Sequence, residues 1–382
     1  MPTMITGTRG SANIQQARRV VDMSKDIALL EPDAAPLTVL LKQMDGKTRE
    51  AINPEFKWLE DELAPRWDAI NNGAGYTAGS TSIVVDNGSY FKAGDIVKVP
   101  RTVEQMLVTA VSTNTLTVTR GWGTTAAAGL VDNDPLLILG NSSAEGASSP
   151  TTKTTQEAVY TNYTEIIRTP FDVTGTDAAS ELYGGRDMNY LRKKMGIEHK
   201  KSIELAYLFG EKKEDTTGSQ PQRFTGGLNY WVSTNRQDAG GALTEAEFEQ
   251  FCRTIFRYGN STKVLLASPL LVSGINQWAN GKLQMFPKDK TYGISVKEYL
   301  TGHGTLLIVK HNLLEQSYSG YGFAVDTEFV AHRPLRGRDT KLRMGIQAND
   351  ADTEKDEYLT ESGLEVKLEK AHGVLYGITS IS

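Results

Sequence analysis

The chain has 382 residues, of which 39% are hydrophobic and 23% are charged, and its formal net charge is −5. This composition is typical of a soluble protein of about two to three domains, and its net acidity argues against general nucleic-acid binding. The single cysteine, Cys252, excludes an intrachain disulfide or a cysteine-based zinc site. The first residues predict no signal peptide, and no apolar run reaches the roughly 18 residues that a membrane helix needs.

Residues 1–50 predict a largely helical arm. Residues 15–30 carry apolar side chains interleaved with charged ones, and a second apolar run follows at 35–41. Amphipathic segments of this kind need a surface that covers their apolar side. At this stage the chain's own body and a neighbouring molecule are equally good candidates for that surface.

A β-rich region follows the arm. Residues 54–63 open as a strand with Phe56 and Trp58 on one side, and residues 164–175 predict the strand that returns beside it. Between them, turn sequences separate five predicted strands, which are 81–85, 95–99, 105–111, 115–119 and 136–139. Short strands at this spacing indicate a small β-barrel or sandwich, inserted into the hairpin.

The second half of the chain mixes helices and strands. Residues 187–210 predict a helix about 35 Å long, and Thr244 begins another with a sequence resembling a capping box. Strands are predicted at 263–267, 305–310, 322–331 and 341–346, and a helix is predicted at 269–280. Segments 357–361 and 364–370, followed by 371–378, alternate as a closing strand pair. Because no steady strand–helix–strand rhythm is present, the predicted class is α+β.

No catalytic, cofactor or metal site emerges from the motifs. Residues 73–78 fit the pattern G-x-G-x-x-A but precede a predicted strand rather than a helix, which favours a glycine turn. The acidic segment 350–361 carries Lys355 where a calcium loop needs glycine, which favours a solvated loop. Glu198 and His199 are adjacent on the predicted long helix, so their side chains diverge. We therefore expect a non-enzyme without cofactors.

Four segments occur in an informative order: 25–41, 54–63, 94–128 and 145–150. In this order they resemble the arm, the outgoing strand of the extended loop, the β-rich insertion of that loop and the exit from the insertion in one subfamily of tailed-phage major capsid proteins. The chain is therefore similar, over nearly its whole length, to proteins with the Hong Kong 97-type capsid fold.

The resemblance implies a division into domains. The implied parts are an arm (1–50), an extended loop hairpin (51–71 and 147–176), a β-rich insertion (72–146), a peripheral domain with a long spine helix (177–240 and 347–382) and an axial domain (241–346). It also implies contacts between subunits, for which the candidate residues are Ile27, Leu30, Leu37, Leu40, Phe56, Trp58, Ile166, Arg168, Phe171 and Arg186.

The implied function is assembly of hexamers and pentamers into the icosahedral or prolate head shell of a virion, in the host cytoplasm. The implied partners are a portal protein, a decoration protein and enclosed double-stranded DNA in weak, non-specific contact. An arm of about fifty residues is too short for a scaffolding segment, so a separate scaffolding protein is expected. Residues 1–30 hold four basic and two acidic side chains, which suits an arm facing DNA and ordinary solvated charge equally well.

Two alternatives stay open at this point. An encapsulin-like compartment shell protein shares the fold but encloses enzymes instead of a genome. A carbohydrate-active enzyme is less favoured and rests on four tryptophans, Trp67, Trp122, Trp231 and Trp278, which suit packing and interfaces at least as well.

Overall fold

The computed structural model describes residues 35–44, 46–143, 145–149, 152–180, 187–280, 285–287 and 296–381. The chain forms two compact units. Unit 1 comprises Met1–Trp58 and Tyr160–Ser382, and unit 2 comprises Leu59–Val159. Helices and strands are mixed within unit 1, and the predicted α+β class is confirmed.

The first half of the chain holds three helices and nine strands over the described residues. In chain order they are α1 (Pro36–Gln43), β1 (Glu55–Glu60), β2 (Trp67–Ala69), β3 (Ser82–Val84), β4 (Asp95–Lys98), β5 (Gln105–Ser112), β6 (Thr115–Thr119), β7 (Pro135–Asn141), β8 (Ala158–Tyr163), β9 (Glu165–Thr174), α2 (Gly175–Ala179) and α3 (Asp187–Phe209).

The elements of the second half of the chain follow in the same numbering. Its elements are β10 (Lys213–Asp215), β11 (Gln222–Phe224), α4 (Leu228–Trp231), β12 (Arg236–Leu243), α5 (Glu245–Ile255), β13 (Thr262–Ala267), α6 (Pro269–Asn280), β14 (Met285–Pro287), β15 (Val296–Leu300), β16 (Thr305–Lys310), β17 (Gly322–Val325), β18 (Val330–Pro334), β19 (Lys341–Arg343), β20 (Thr353–Val366) and β21 (Gly373–Ile381).

Unit 2 is built on a six-stranded sheet in the order β2-β7-β4-β5-β6-β3. Its strands alternate buried and exposed residues; on β6, for example, Leu116 and Val118 point into the core. Inside this unit the guanidinium of Arg120 donates to the buried carboxylate of Glu104 at 2.8 Å. The five strands predicted for this region are all present, and β2 is an additional one.

Unit 1 contains a seven-stranded sheet in the order β12-β21-β17-β13-β16-β15-β14. Side chains of α5 and α6 share one hydrophobic core with this sheet, including Phe248, Phe251 and Leu271. The helix α5 begins with a capping box, in which the Thr244 hydroxyl accepts from the backbone N–H of Glu247 and the Glu247 carboxylate accepts from Thr244. The capping box predicted at Thr244 is thus confirmed.

A second sheet of unit 1 orders its strands β18-β20-β19, and β9 pairs with the other edge of β20. The helix α3 packs against β9 and β20 and supplies Ile203 and Tyr207 to a buried core. The long helix predicted for residues 187–210 is therefore confirmed, and it provides the backing for this sheet.

The apolar run at residues 35–41 forms α1 and packs on the chain's own body. Leu37, Leu40 and Leu41 join the core that contains Tyr207 of α3. The buried carboxylate of Glu204 accepts hydrogen bonds from the backbone N–H groups of Leu37 and Thr38, both at 2.7 Å, which holds the start of α1. The preceding predicted helix, residues 15–30, lies outside the described residues.

Three strand predictions are wrong in their pairing or extent. Residues 164–175 contain β9, which pairs with β20 and not with β1. The strand that pairs with β1 is β8. The strand predicted at 322–331 is two strands in different sheets, because a turn closed by a hydrogen bond from Phe329 N to Asp326 O separates β17 from β18. The predicted closing pair does not exist, because β20 continues unbroken to Val366 and β21 joins the seven-stranded sheet.

Candidate functional site: the basic sheet face

The sheet formed by β9 and β20 presents two different faces. The strands are antiparallel, in a register that runs from Glu165↔Ser362 to Thr174↔Thr353. Residues directly opposite each other point to the same side, and alternate residues of one strand point to opposite sides. The face with the odd-numbered residues of β20 therefore also carries Ile166 and Arg168 of β9.

Three glutamates line this face of β20 at intervals of four residues. Glu357, Glu361 and Glu365 are all buried, although each carries an ionisable carboxylate. Because side-chain direction repeats every two residues in a strand, an interval of four keeps all three on one side. Burying a carboxylate is unfavourable unless charged groups or hydrogen-bond donors surround it.

Basic side chains from neighbouring segments cover each of these glutamates. Arg168 Nε donates to Glu357 at 2.9 Å, and Arg338 donates to Glu361. Glu365 lies 3.3 Å from Arg333 and 3.1 Å from Lys367. Among the described residues, the cations that pair with the three glutamates are Arg49, Arg168, Arg333, Arg338, Arg343 and Lys367.

Six cations thus surround three carboxylates, and this surface, the basic sheet face, has an excess of positive charge within these contacts. Its outermost atoms belong to arginines, since the side chain of Arg168 is 57% exposed whereas that of Glu357 is 2% exposed. Next to Arg168, Ile166 is 53% exposed. The face therefore combines fixed guanidinium groups with an exposed apolar side chain, a composition that suits contact with another macromolecule.

The opposite face of the same sheet is covered by α3. His199 lies between two strand hydroxyls, with Nδ1 2.9 Å from Thr169 Oγ1 and Nε2 2.7 Å from Thr360 Oγ1. The hydroxyl of Tyr207 forms hydrogen bonds with His332 Nδ1 at 2.6 Å and Ser362 Oγ at 2.9 Å. We call this the helix-covered face; its polar atoms are satisfied by partners within the subunit.

Burial governs the ionisation of the two histidines on the helix-covered face. It lowers the pKa of His199 from 6.5 to about 4, because the charged imidazolium would lose its hydration. Burial likewise lowers the pKa of His332, although the neighbouring carboxylate of Asp339 opposes the change. Both side chains are therefore neutral near pH 7.

Two of the predicted contact residues lie together on the basic sheet face, namely Ile166 and Arg168. Five others have side chains in hydrophobic clusters of the subunit itself: Leu37, Leu40, Phe56, Trp58 and Phe171. Their side chains pack in the subunit's own cores, the contact surface proposed below does not use them, and their role in contacts between subunits stays a prediction. Ile27, Leu30 and Arg186 lie outside the described residues.

Most of the basic sheet face is not predicted from the sequence. The glutamates at 357, 361 and 365 recur every four residues, which was the available signal, but the segment was interpreted as two strands. Their cationic partners come from distant segments, for example Arg49 and Arg168, and only the strand register brings them together. Such a set cannot be recognised from local spacing.

The motifs considered for catalysis have structural roles. Residues 73–78 contain a turn at Gly75, whose φ of +66° favours glycine, and the strand β3 follows. The solvated loop predicted for the acidic segment is wrong from Thr353 onwards, because these residues belong to β20 and the buried Asp356 pairs with Arg192 at 2.7 Å. Cys252 is a free, buried thiol, and burial raises its pKa. Among the described residues, no group of three or more histidine, cysteine or acidic side chains is arranged to hold a metal ion.

In the part of the chain that the structure describes, no helix is long and apolar enough to cross a membrane.

Comparisons with known proteins give consistent findings. The family model described as SU10 major capsid protein matches residues 4–379. A major capsid protein of Pseudomonas phage PaMx41 is 25% identical over 281 residues, which cover 69% of this chain and 67% of that protein.

Two solved structures are also similar. That of Microbacterium phage Oxtober96 is 10% identical, covers 93% of this chain and 94% of its own, and has a TM-score of 0.46. The capsid asymmetric unit of cyanophage A-1(L) is 12% identical, covers 63% of this chain and 85% of its own, and has a TM-score of 0.46.

Proposed function

The chain belongs to the SU10 major capsid protein family, and from this premise we propose that its copies close into an icosahedral or prolate shell of hexamers and pentamers. It is a structural protein of the phage virion, where it forms the wall of the capsid. The observation that carries this function is the family match over residues 4–379, nearly the whole chain. The α+β fold is consistent with Hong Kong 97-type architecture.

The proposed contact surface is the basic sheet face. Arg168, Arg338 and Arg343 keep exposed guanidinium groups there, and Ile166 adds apolar area. We propose that another copy of the chain covers this face. A bidentate guanidinium contributes both charge and direction to an interface, while an apolar neighbour contributes burial. Three physical features support this proposal. Cations outnumber carboxylates in these contacts, ion pairs hold the arginine side chains in place, and the arginines and Ile166 are exposed in the isolated subunit.

Further apolar side chains are exposed on the paired strands β1 and β8 and on the segment that follows β1. They are Leu59, Leu63, Val159 and Tyr160. Leu63 is 95% exposed, within a sequence of three acidic residues and a proline. We propose that these side chains are buried against neighbouring copies, since exposed apolar groups of this size favour association.

The remaining partners belong to the same proposal. They are a portal protein, a separate scaffolding protein, a decoration protein and enclosed double-stranded DNA, with assembly in the host cytoplasm. The net charge of −5 suits a wall that touches DNA weakly and non-specifically. Shells of uniform size formed by this chain alone would count against a scaffolding protein.

The function is tested on the expressed chain by size-exclusion chromatography and negative-stain electron microscopy. We expect megadalton particles with a curved or closed wall, and nucleic acid rather than enzymes inside particles recovered from infected cells. A stable monomer at high concentration would contradict the shell function. Enclosed enzymes would favour the compartment alternative.

The contact surface is tested separately with Ile166→Lys. A cation there lies next to Glu361, which it faces across the strands, so the fold tolerates it. We expect the variant to unfold like the parent chain and to lose most of its particle yield. The matched control is Val131→Lys in unit 2, where a half-exposed valine receives the same charge. Equal yields for Ile166→Lys and the parent would show that this face is not a contact.

A further inference from the structure

The outward side of α5 carries a divided row of charges, which we call the α5 charge stripe. Glu245, Glu249, Arg253 and Arg257 follow one another at intervals of four. Residues four apart lie on one side of a helix. The first three belong to α5, whereas Arg257 comes two residues after its end. The stripe therefore has an acidic end and a basic end.

The turn between β15 and β16 separates two open depressions beside this stripe. The acidic depression, of about 410 Å³, is lined by Glu245, Glu249 and residues 299–302. The basic depression, of about 480 Å³, is lined by Arg253, Arg257 and His303, together with Thr254 and Phe256. Arg257 thus continues the basic end although it lies beyond the helix, and the two depressions are similar in size.

The charges of the stripe are not required for capping. Glu247 completes the capping box of α5, so Glu245 and Glu249 have no part in it. Glu249 lies 3.5 Å from His303 across the turn. Over the described residues, neither Arg253 nor Arg257 forms an ion pair with a carboxylate. The basic end therefore keeps its full charge in the isolated subunit.

Each end also has an exposed apolar side chain beside it. Leu300 lines the acidic depression and is 44% exposed. Tyr258 is 46% exposed, and the guanidinium of Arg257 lies 5.3 Å from the centre of its ring. The helix dipole explains why acidic residues precede basic ones on α5, but it does not explain these apolar neighbours. Charge combined with exposed apolar area is typical of a binding surface.

We propose that the acidic end of the α5 charge stripe on one copy of this chain binds the basic end on the next copy, an inference that rests on the shell function proposed above. The carboxylates of Glu245 and Glu249 accept hydrogen bonds from the guanidinium groups of Arg253 and Arg257 of the next copy. Leu300 and Tyr258 add apolar contact at the two ends.

A second copy is the occupant that fits both ends at once. A nucleic-acid phosphate would fit the basic depression alone and would be repelled by Glu245 and Glu249. Because every copy offers both ends, the contact is heterologous and repeats from copy to copy. It closes into a ring when the rotation between neighbours divides a full turn.

The test uses two full-length variants with opposite charge reversals. Glu245→Arg/Glu249→Arg makes the whole stripe basic, and Arg253→Glu/Arg257→Glu makes it acidic. Each variant alone brings like charges together, so we expect about a tenfold or greater loss of particle yield. Mixed in equal amounts, the two variants can alternate, which restores opposite charges at every contact of a six-membered ring and at all but one contact of a five-membered ring, and we expect most of the yield to recover. Lys193→Glu/Lys200→Glu on α3 reverses two exposed lysines and is the control, which we expect to assemble like the parent chain.

Thermal unfolding and size-exclusion chromatography first show that each variant is a folded subunit. If one reversal unfolds, Glu249→Gln and Arg253→Gln replace it and are expected to give smaller losses in the same direction. Folded variants that assemble like the parent would overturn the inference, as would variants that fail both alone and when mixed. Particles that form normally but retain less DNA with Arg253→Glu/Arg257→Glu would assign the basic end to nucleic acid and overturn it too. Failure of the parent chain to form particles would instead contradict the shell function.

Discussion

The two faces of the β9–β20 sheet use the same strands in opposite ways. On the helix-covered face, Thr360 and Ser362 bond to His199 and Tyr207 of α3. On the basic sheet face, Glu357 and Glu361 bind arginines whose outer atoms remain exposed. The first face completes its interactions within one subunit, and the second retains charge that only another molecule can neutralise.

This difference separates folding from assembly. Substitutions on the helix-covered face remove packing or leave buried polar atoms without partners, so they act on the stability of the subunit. Substitutions of the arginines on the basic sheet face alter ion pairs that have one exposed and one buried partner, so they should affect stability less than core substitutions do but can decide which partner binds. The following predictions test this separation.

The largest effect is expected for Tyr207→Ala. Tyr207 is fully buried in the core shared by α1 and α3, and its loss should lower the free energy of unfolding by about 3–5 kcal/mol. Denaturant unfolding of the isolated subunit measures this loss of free energy. Tyr230→Ala is the control, since Tyr230 is nearly half exposed and should cost about 1 kcal/mol or less. Similar losses for both variants would contradict the assignment of Tyr207 to the core.

The second-largest effect is expected from acid, which should lower the stability of the subunit through the helix-covered face. The unfolded chain protonates His199 near pH 6.5, but the folded chain does so only near its lowered pKa of about 4. Unfolding therefore takes up a proton between these values, and the free energy of unfolding falls as the pH falls through this window. The shift from 6.5 to about 4 corresponds to a loss of about 3.5 kcal/mol once the pH has fallen below the folded pKa, at about 1.4 kcal/mol per unit of pKa shift.

The variant His199→Gln isolates this contribution, because glutamine can bond to both threonines without titrating. Stability measured at intervals from pH 7.5 to 4 should depend less steeply on pH in the variant, by about one proton. The two proteins are compared first at pH 7.5, where the parent histidine is neutral. An unchanged slope below pH 6.5 would mean that His199 is not the titrating group.

A smaller effect on stability is expected for Arg168→Gln on the basic sheet face. The side chain of Arg168 is 57% exposed but that of Glu357 is 2% exposed, so loss of the ion pair leaves a buried carboxylate with Arg343 as its remaining cation and should cost about 1–2 kcal/mol. Particle yield, in contrast, should fall clearly. Arg223→Gln removes an ion pair with Glu214 elsewhere in unit 1 and should leave the yield unchanged. A stability loss as large as that of Tyr207→Ala would erase the distinction between the two faces.

Salt should have the smallest effect on the stability of the subunit, but it should still weaken assembly. Raising the ionic strength from about 0.1 M to 1 M shortens the screening length from about 10 Å to 3 Å. We expect the concentration needed for assembly to rise, while denaturant unfolding of the subunit changes little. Light scattering at several salt concentrations measures the first quantity. Assembly that strengthens with salt would indicate contacts that are mainly apolar.

Local sequence patterns predict the elements but not their partners. The capping box at Thr244 and the helical spacing after Asp187 are local signals, and both helices are present. The break predicted between residues 361 and 364 is absent, since Gly363 lies within β20. This position needs glycine because a Cβ there would overlap the backbone oxygen of Tyr163 and the ring of Phe56. In the sequence alone, a glycine required by close packing cannot be distinguished from a glycine required by a turn.

The candidate site could be predicted only in part. Ile166 and Arg168 were identified through the family resemblance, whereas Arg338 and Arg343 were not. Their positions depend on long-range register: Arg343 lies opposite Glu357 because β19 pairs with β20. Charge spacing within one strand is visible in a sequence, but pairing between distant strands is set by tertiary packing.

The central claim is that the subunit leaves the basic sheet face open so that another copy can cover it. Cryo-electron microscopy of the assembled particle tests this most directly, at a resolution that separates side chains. We expect Ile166 and Arg168 to lie within contact distance of a neighbouring copy. A closed shell in which both side chains face solvent would contradict the account.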